Sequence, residues 1–87
     1  MGSYALEIMP VARKELEELP DSVLARVVAK IDALAQNPRP AGCSKLKGYK
    51  SHWRIRVGDW RVLYTIDDAT RIVGVTRIKH RREVYER

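Results

Sequence analysis

Three arginines alternate with apolar residues over one short stretch of this 87-residue chain. Trp53-Arg54-Ile55-Arg56-Val57 alternates strictly, Gly58-Asp59 interrupts it, and Trp60-Arg61-Val62-Leu63-Tyr64-Thr65-Ile66 resumes it. A period of two is that of a half-buried strand. Gly58-Asp59 reads as a two-residue hairpin turn, with glycine supplying the positive φ such turns demand. That turn fixes the pairing. Val57 faces Trp60, Ile55 faces Val62 and Trp53 faces Tyr64, and all six share one face. The other face then carries Arg54, Arg56, Arg61 and Leu63, with Arg56 directly opposite Arg61. Like charges opposed across two strands are destabilising. A small fold tolerates them most readily when something anionic sits between them. The planar guanidinium fork, which binds two oxygens at once, suits phosphate. Arginines that splay into solvent over apolar surface are the bland alternative. Three arginines with no acid on the patch favour the anion site.

A second cluster follows the last strand: His80, Arg81, Arg82 and Tyr85. If that strand lies beside the hairpin, the cluster reaches the arginine face. His80 and His52 are the chain's two histidines, the residue type most often used for proton transfer. A lone histidine is more often a surface or hydrogen-bonding residue than a catalyst, and the neighbouring arginines narrow that gap. Charge and aromatics are both skewed towards this half. Residues 1–43 hold five Lys/Arg and six Asp/Glu, a net of −1, whereas residues 44–87 hold twelve and five, a net of +7. Tyr49, Trp53, Trp60, Tyr64 and Tyr85 are five of the six aromatics. Cations interleaved with flat rings are what phosphates and unpaired bases require. A basic protein with ordinary aromatic strand residues is the competing description.

Other chemistries find no support. Two histidines and one cysteine at unrelated spacings make no zinc site. There is no glycine-rich phosphate loop. Asp67-Asp68 reads as a turn rather than a metal-ligand pair, and Cys43 as an inert loop thiol. No metal or cofactor is expected. One cysteine forms no intramolecular disulfide, no apolar run approaches the ~20 residues that span a bilayer, and no secretion signal is seen. The expectation is a cytoplasmic protein without a membrane association.

The elements that must hold these residues are legible in outline. Tyr4–Met9 reads as a first strand. Pro10 suits the first turn of a helix. Val11, Ala12, Leu16 and Leu19 follow at helical spacing, with Lys14, Glu15, Glu17 and Glu18 on the wet side. Pro20-Asp21-Ser22 breaks the run and offers a fresh N-cap. Val23, Leu24, Val27, Val28, Ile31, Leu34 and Ala35 repeat at 3–4 spacing and define a second helix through Gln36. The two form an antiparallel helical hairpin, read as scaffold. Asn37–Gly42 is a loop, and Lys45-Leu46-Lys47-Gly48 follows it. Tyr49–His52 is unassigned. After the hairpin, Asp67–Thr70 turns, Arg71–Lys79 is a further strand, and His80–Arg87 is a short basic tail. One domain, residues 1–87, is expected.

These motifs resemble a known family. Asn-Pro-x-Pro, Lys-Leu-Lys-Gly, Trp-Arg-Ile-Arg-Val-Gly-Asp-Trp-Arg-Val-Leu-Tyr-x-Ile-Asp-Asp and His-Arg-Arg-Glu-Val-Tyr, over nearly the whole chain, look like a RelE-type toxin of the RelE/ParE superfamily. The resemblance implies an α+β fold, β-α-α-β-β-β, whose mostly antiparallel sheet packs on the helical hairpin. It implies the toxin of a type II toxin–antitoxin module: a metal-independent endoribonuclease that cuts mRNA in the ribosomal A site, with the ribosome, mRNA and a cognate RelB-like antitoxin as partners. The family's basic strand positions match Arg54, Arg56 and Arg61, and its tail arginine and tyrosine match Arg81 and Tyr85. Arg61 and Arg81 would hold the scissile phosphate, Arg81 also near the leaving oxygen. Tyr85 would stack on or orient a base. Lys45, Lys47, Arg54 and Arg56 would hold RNA phosphates. Some members carry lysine at the positions of Arg54 and Arg56. A guanidinium is a poor general base near neutrality, so His80 is the first choice for proton transfer, ahead of Glu83 and Tyr85. Glu83 alternatively pairs with Arg82 or Arg87. The alternatives are a ParE-like, non-catalytic inhibitor of DNA gyrase and a simple RNA-binding module.

Overall fold

The computed structural model describes residues 3–46 and 52–80. In chain order these form β1 (Ala5–Ile8), α1 (Pro10–Glu17), α2 (Asp21–Leu34), β2 (Ser44–Lys45), β3 (His52–Val57), β4 (Trp60–Asp67) and β5 (Ile72–His80). This is the expected α+β arrangement with one strand added. The addition, β2, is two exposed residues that pair antiparallel with β3 through Ser44↔Arg54 and Lys45↔Trp53. Two residues are too few to carry a readable alternation. The sheet order is β1-β5-β4-β3-β2, with β1 parallel to β5 and every other pair antiparallel.

Both helices start as proline directs, but not with the side-chain cap expected at Pro20–Ser22. Pro10 opens α1 after an extended Met9. At α2 the cap position is Pro20 itself, which makes no side-chain cap bond, while Asp21 stands in the first turn with its charge towards the positive helix end. Ala12 and Leu19 join Val27, Ile31 and Leu34 in the core. Val11 and Val28, read as part of the apolar stripes, are 54% and 39% exposed. Among the described residues no helix is long and apolar enough to cross a membrane.

The β3–β4 register is the one the turn dictates: Val57↔Trp60, Arg56↔Arg61, Ile55↔Val62, Arg54↔Leu63 and Trp53↔Tyr64. Gly58 adopts φ +59°, the left-handed value the first turn residue needs. Ile55, Val57, Val62 and Tyr64 are buried in the helix-facing core, with Trp53 and Trp60 packed at its margin. The Tyr64 hydroxyl donates to the Pro38 carbonyl oxygen at 2.7 Å, tying β4 to the loop after α2. Burial, with Cys43 beside it, pushes this phenol well above its ordinary pKa.

β5 is not a plain strand. Leu63 pairs with Arg77 but Tyr64 pairs with Val75, leaving Thr76 as an extra residue. Its hydroxyl donates to the Leu63 carbonyl oxygen at 3.1 Å. Simple alternation from buried Val73 and Val75 would aim Arg77 at the core. The bulge resets the parity, so Ile78 is buried instead. β1 ends opposite Val75, so β5 continues beyond it with one edge bare. Glu15 closes that edge. Its Oε1 accepts the Ile78 N–H at 2.7 Å, and its Oε2 accepts the Arg77 guanidinium at 2.8 Å. Glu15 is thus half-buried rather than on the wet side. Desolvation alone would raise its pKa, but the bonds from Arg77 and the Ile78 N–H outweigh it and hold the carboxyl below its usual range.

Candidate nucleic-acid interface

The hairpin register and the β5 bulge together build a cationic row on the sheet face away from the core. Arg56 of β3 lies opposite Arg61 of β4, and Arg61 lies opposite Lys79 of β5. Arg54 follows two residues before Arg56 on the same face of β3. Arg56 is exposed, whereas Arg61 is 4% exposed, the one charged side chain buried among the described residues. The Arg61 guanidinium is turned towards its own hairpin, with Nη1 donating to the Trp60 carbonyl at 3.1 Å and the Gly58 carbonyl at 3.3 Å. A guanidinium held this way is pre-oriented, and further donors on its fork remain for an anion.

Beside this row, β2 begins opposite Arg54, and a groove of about 520 Å³ lies at that edge of β3. Arg54, Arg56 and Arg61 of the sheet line it together with Lys30 of α2, the loop 40–42 and Ser44. No carboxylate appears among the described lining residues. α2 is therefore more than scaffold. Lys30 lines the groove along with the arginines, and one turn earlier the Arg26 guanidinium lies against the hairpin, 2.5 Å from where a Cβ on Gly58 would stand. An exposed lysine on a helix's wet side gives no sequence signal for this; only the crossing of α2 over β3 does. Lys79 was equally hidden, because its position opposite Arg61 depends on the bulge.

Two sequence-derived candidates stand elsewhere. Lys45 pairs with Trp53, and its ammonium lies 6.0 Å from the centroid of that ring, with Arg39 over the same ring at 5.1 Å. It is on the rim of the apolar face, not among the arginines. His80 is opposite Trp60, edge-on to the indole at 5.0 Å between centroids, so it also takes the face of Trp60 rather than that of Arg61. Lys47, Arg81, Glu83 and Tyr85 lie outside the described residues.

The acids near the hairpin's far end serve structure. Asp67 Oδ1 accepts the N–H groups of Ala69 and Thr70, both at 3.1 Å, and so closes the β4–β5 turn. Asp68 accepts two bonds from Arg39 and one from the Tyr4 hydroxyl at 2.6 Å. The Arg39 contact comes first among the causes that hold the Asp68 carboxyl below its ordinary pKa. Cys43 is half-buried against the core.

Residues 6–85 match the model of the family described as the ParE toxin of type II toxin–antitoxin systems, parDE. The chain belongs to this toxin family. Within it, the chain is 32% identical over 85 residues to the toxin RelG of Mycobacterium tuberculosis, covering 97% of this chain and 98% of that one. It is 31% identical over 86 residues to the putative toxin RelE1 of Methanocaldococcus jannaschii, covering 95% and 96%. Its fold is similar to that in the archaeal RelE–RelB complex from Pyrococcus horikoshii, with a TM-score of 0.82, 27% identity, and coverage of 91% of this chain and 96% of that chain. The relatives named RelE and RelG make this toxin RelE-type, as its motifs lead one to expect.

Proposed function

We propose that this toxin is a ribosome-dependent mRNA endonuclease that cuts in the A site and is neutralised by a cognate, RelB-like antitoxin. The observation that carries the reading is the groove, walled by Arg54, Arg56, Arg61 and Lys30, with no carboxylate among its described lining residues. A site that only had to be soluble gains nothing from opposing Arg56 to Arg61. A site that holds a phosphodiester gains attraction from each cation.

RNA carries its own nucleophile. The 2′-OH loses its proton and attacks the adjacent phosphorus, the 2′-O–P bond forms, the P–O5′ bond breaks, and the 5′ oxygen takes up a proton. The products are a 2′,3′-cyclic phosphate and a 5′-OH. Negative charge grows on the phosphate oxygens, where pre-oriented guanidinium groups stabilise it. Arg61, braced by the Gly58 and Trp60 carbonyls, fits that role, with Arg56 opposite it. Arg81 would neutralise charge near the leaving oxygen and Tyr85 would stack on a base. Arginine stays protonated near neutrality, and His80 takes the face of Trp60 rather than that of Arg61, so proton transfer would fall to Tyr85 or Glu83, the other candidates of the sequence. Lys45 and Lys47 would contact messenger or ribosomal phosphates from the rim.

Translation in vitro with added toxin, with mRNA ends mapped by primer extension, tests this reading. New A-site ends bearing 2′,3′-cyclic phosphate are expected. Intact mRNA combined with blocked supercoiling by DNA gyrase would replace the nuclease with the gyrase-inhibiting alternative. Arg81→Ala and Tyr85→Ala should abolish cutting and leave the thermal unfolding midpoint unchanged; wild-type rates in both would remove these residues from the site. The antitoxin should be acidic where it meets the basic half, so its affinity should fall as salt rises.

A further inference from the structure

Beyond Thr76, little in β5 itself fixes its register. Arg77, Ile78, Lys79 and His80 include one apolar residue, Ile78, and it alone of the four is buried in the core, at 2% exposure. A slip of one residue would exchange the faces that all four side chains take. Strand support is halved as well. β1 ends opposite Val75, so among the described residues β4 alone pairs with Ile78, Lys79 and His80. Glu15 supplies the missing constraint from α1. Its carboxylate grips two neighbouring residues at once, accepting the Ile78 N–H at 2.7 Å and the Nε and Nη2 of Arg77 at 3.1 and 2.8 Å. A strand slipped by one residue would present a different N–H and would carry the Arg77 guanidinium to the opposite face. From the β4 side, the Thr76 hydroxyl bonds the Leu63 carbonyl oxygen at 3.1 Å and holds the bulge where it is.

We propose that Glu15 is a positioning residue for cleavage: by locking the end of β5 it sets where the segment carrying Arg81 and Tyr85 starts relative to Arg61. The proposal rests on the nuclease reading for the reaction it serves. Arg61 belongs to β4 and lies opposite Lys79. Arg81 follows His80 directly and is three residues beyond Ile78 in sequence. The two arginines assigned to one phosphate are therefore brought to it along different strands, and the β4–β5 register just past the bulge decides their separation. One residue along a strand is about 3.3 Å, and a misplacement of about 1 Å at a reacting centre can cost about a hundredfold in rate. Glu15 needs no contact with the RNA to exert this effect, because it acts through Ile78 and Arg77.

Glu15→Ala, Glu15→Gln and Glu17→Ala separate positioning from stability. Cutting on ribosomes is measured per folded molecule, at a temperature where circular dichroism shows each variant folded. Amide exchange at Ile78 and the cross-strand NOE between Arg61 and Lys79 are measured by NMR on the toxin without RNA. Glu15→Ala should cut about ten- to a hundredfold more slowly, exchange the Ile78 N–H faster and weaken the NOE. Glu15→Gln keeps an acceptor for that N–H and should fall between Glu15→Ala and wild type in all three. Glu17→Ala removes the same charge from an exposed position of α1 and should match wild type. Wild-type cutting by folded Glu15→Ala would make Glu15 a residue of the fold alone and overturn the proposal. Slower cutting with the exchange and the NOE unchanged would also overturn it, because the loss would not run through β5. If Glu15→Ala does not fold, Glu15→Gln carries the same test with the same two overturning results. A wild-type toxin that leaves mRNA intact would instead overturn the nuclease reading, and the exchange and NOE, which need no RNA, tell that failure apart from this one.

Discussion

The two faces of the β3–β4 hairpin are built from alternate residues of the same strands, and they obey opposite rules. On one face, Ile55, Val57, Val62 and Tyr64 lose their water and close the core against α1 and α2. On the other, Arg54, Arg56 and Arg61 crowd like charge together, where an apolar or mixed surface would be more stable. Each strand therefore carries its core residues on one side and its cations on the other. In an 87-residue fold, whose margin is thin, the apolar face must supply what the cationic face gives up.

Substitutions ordered by expected effect sharpen that division. Leu34→Ala empties a fully buried position of α2 and should cost about 3 kcal/mol in urea unfolding. Cutting per folded molecule should be retained, and a loss under 1 kcal/mol would mean that the core is looser than described. Tyr64→Phe leaves the Pro38 carbonyl without its donor and should cost about 1–2 kcal/mol, again with cutting retained. Glu15→Gln tests the clamp that links α1 to the end of β5, with an expected loss of about 1 kcal/mol near pH 7. Because the folded-state pKa of Glu15 is depressed, its contribution is complete above the ordinary glutamate pKa and disappears as pH falls through the lower, folded value. The wild-type and Glu15→Gln unfolding curves should therefore converge in acid; a gap that persists there would mean that the Glu15 charge is not what holds β5.

How much of this was legible follows the length over which a physical rule operates. The hairpin was readable because one glycine turn sets every pair from Val57↔Trp60 to Trp53↔Tyr64. The two helices were readable from their periodicity, although Val11 and Val28 show that an apolar stripe can be wider than the surface it covers. What depends on tertiary crossing was not readable. Glu15 looked like a solvated helix residue, yet it closes the edge left where β1 ends. Thr76 gives no sequence sign of a bulge, and without the bulge Lys79 cannot be set opposite Arg61. Lys30 joins the site only because α2 passes beside the open edge of β3. The same register carried His80 to Trp60 rather than to the arginines.

The central claim is that the cationic face exists for an anion and not for the fold. Arg56→Ala tests it most directly, because Arg56 is exposed while Arg61 is buried and bonded into the hairpin. The variant should be as stable as wild type or more stable by a few tenths of a kcal/mol, since a cross-strand repulsion is removed. Its mRNA cutting on the ribosome should fall by about a hundredfold or more, the loss expected for a group that stabilises transition-state charge. A destabilised protein that cuts at the wild-type rate would contradict the account.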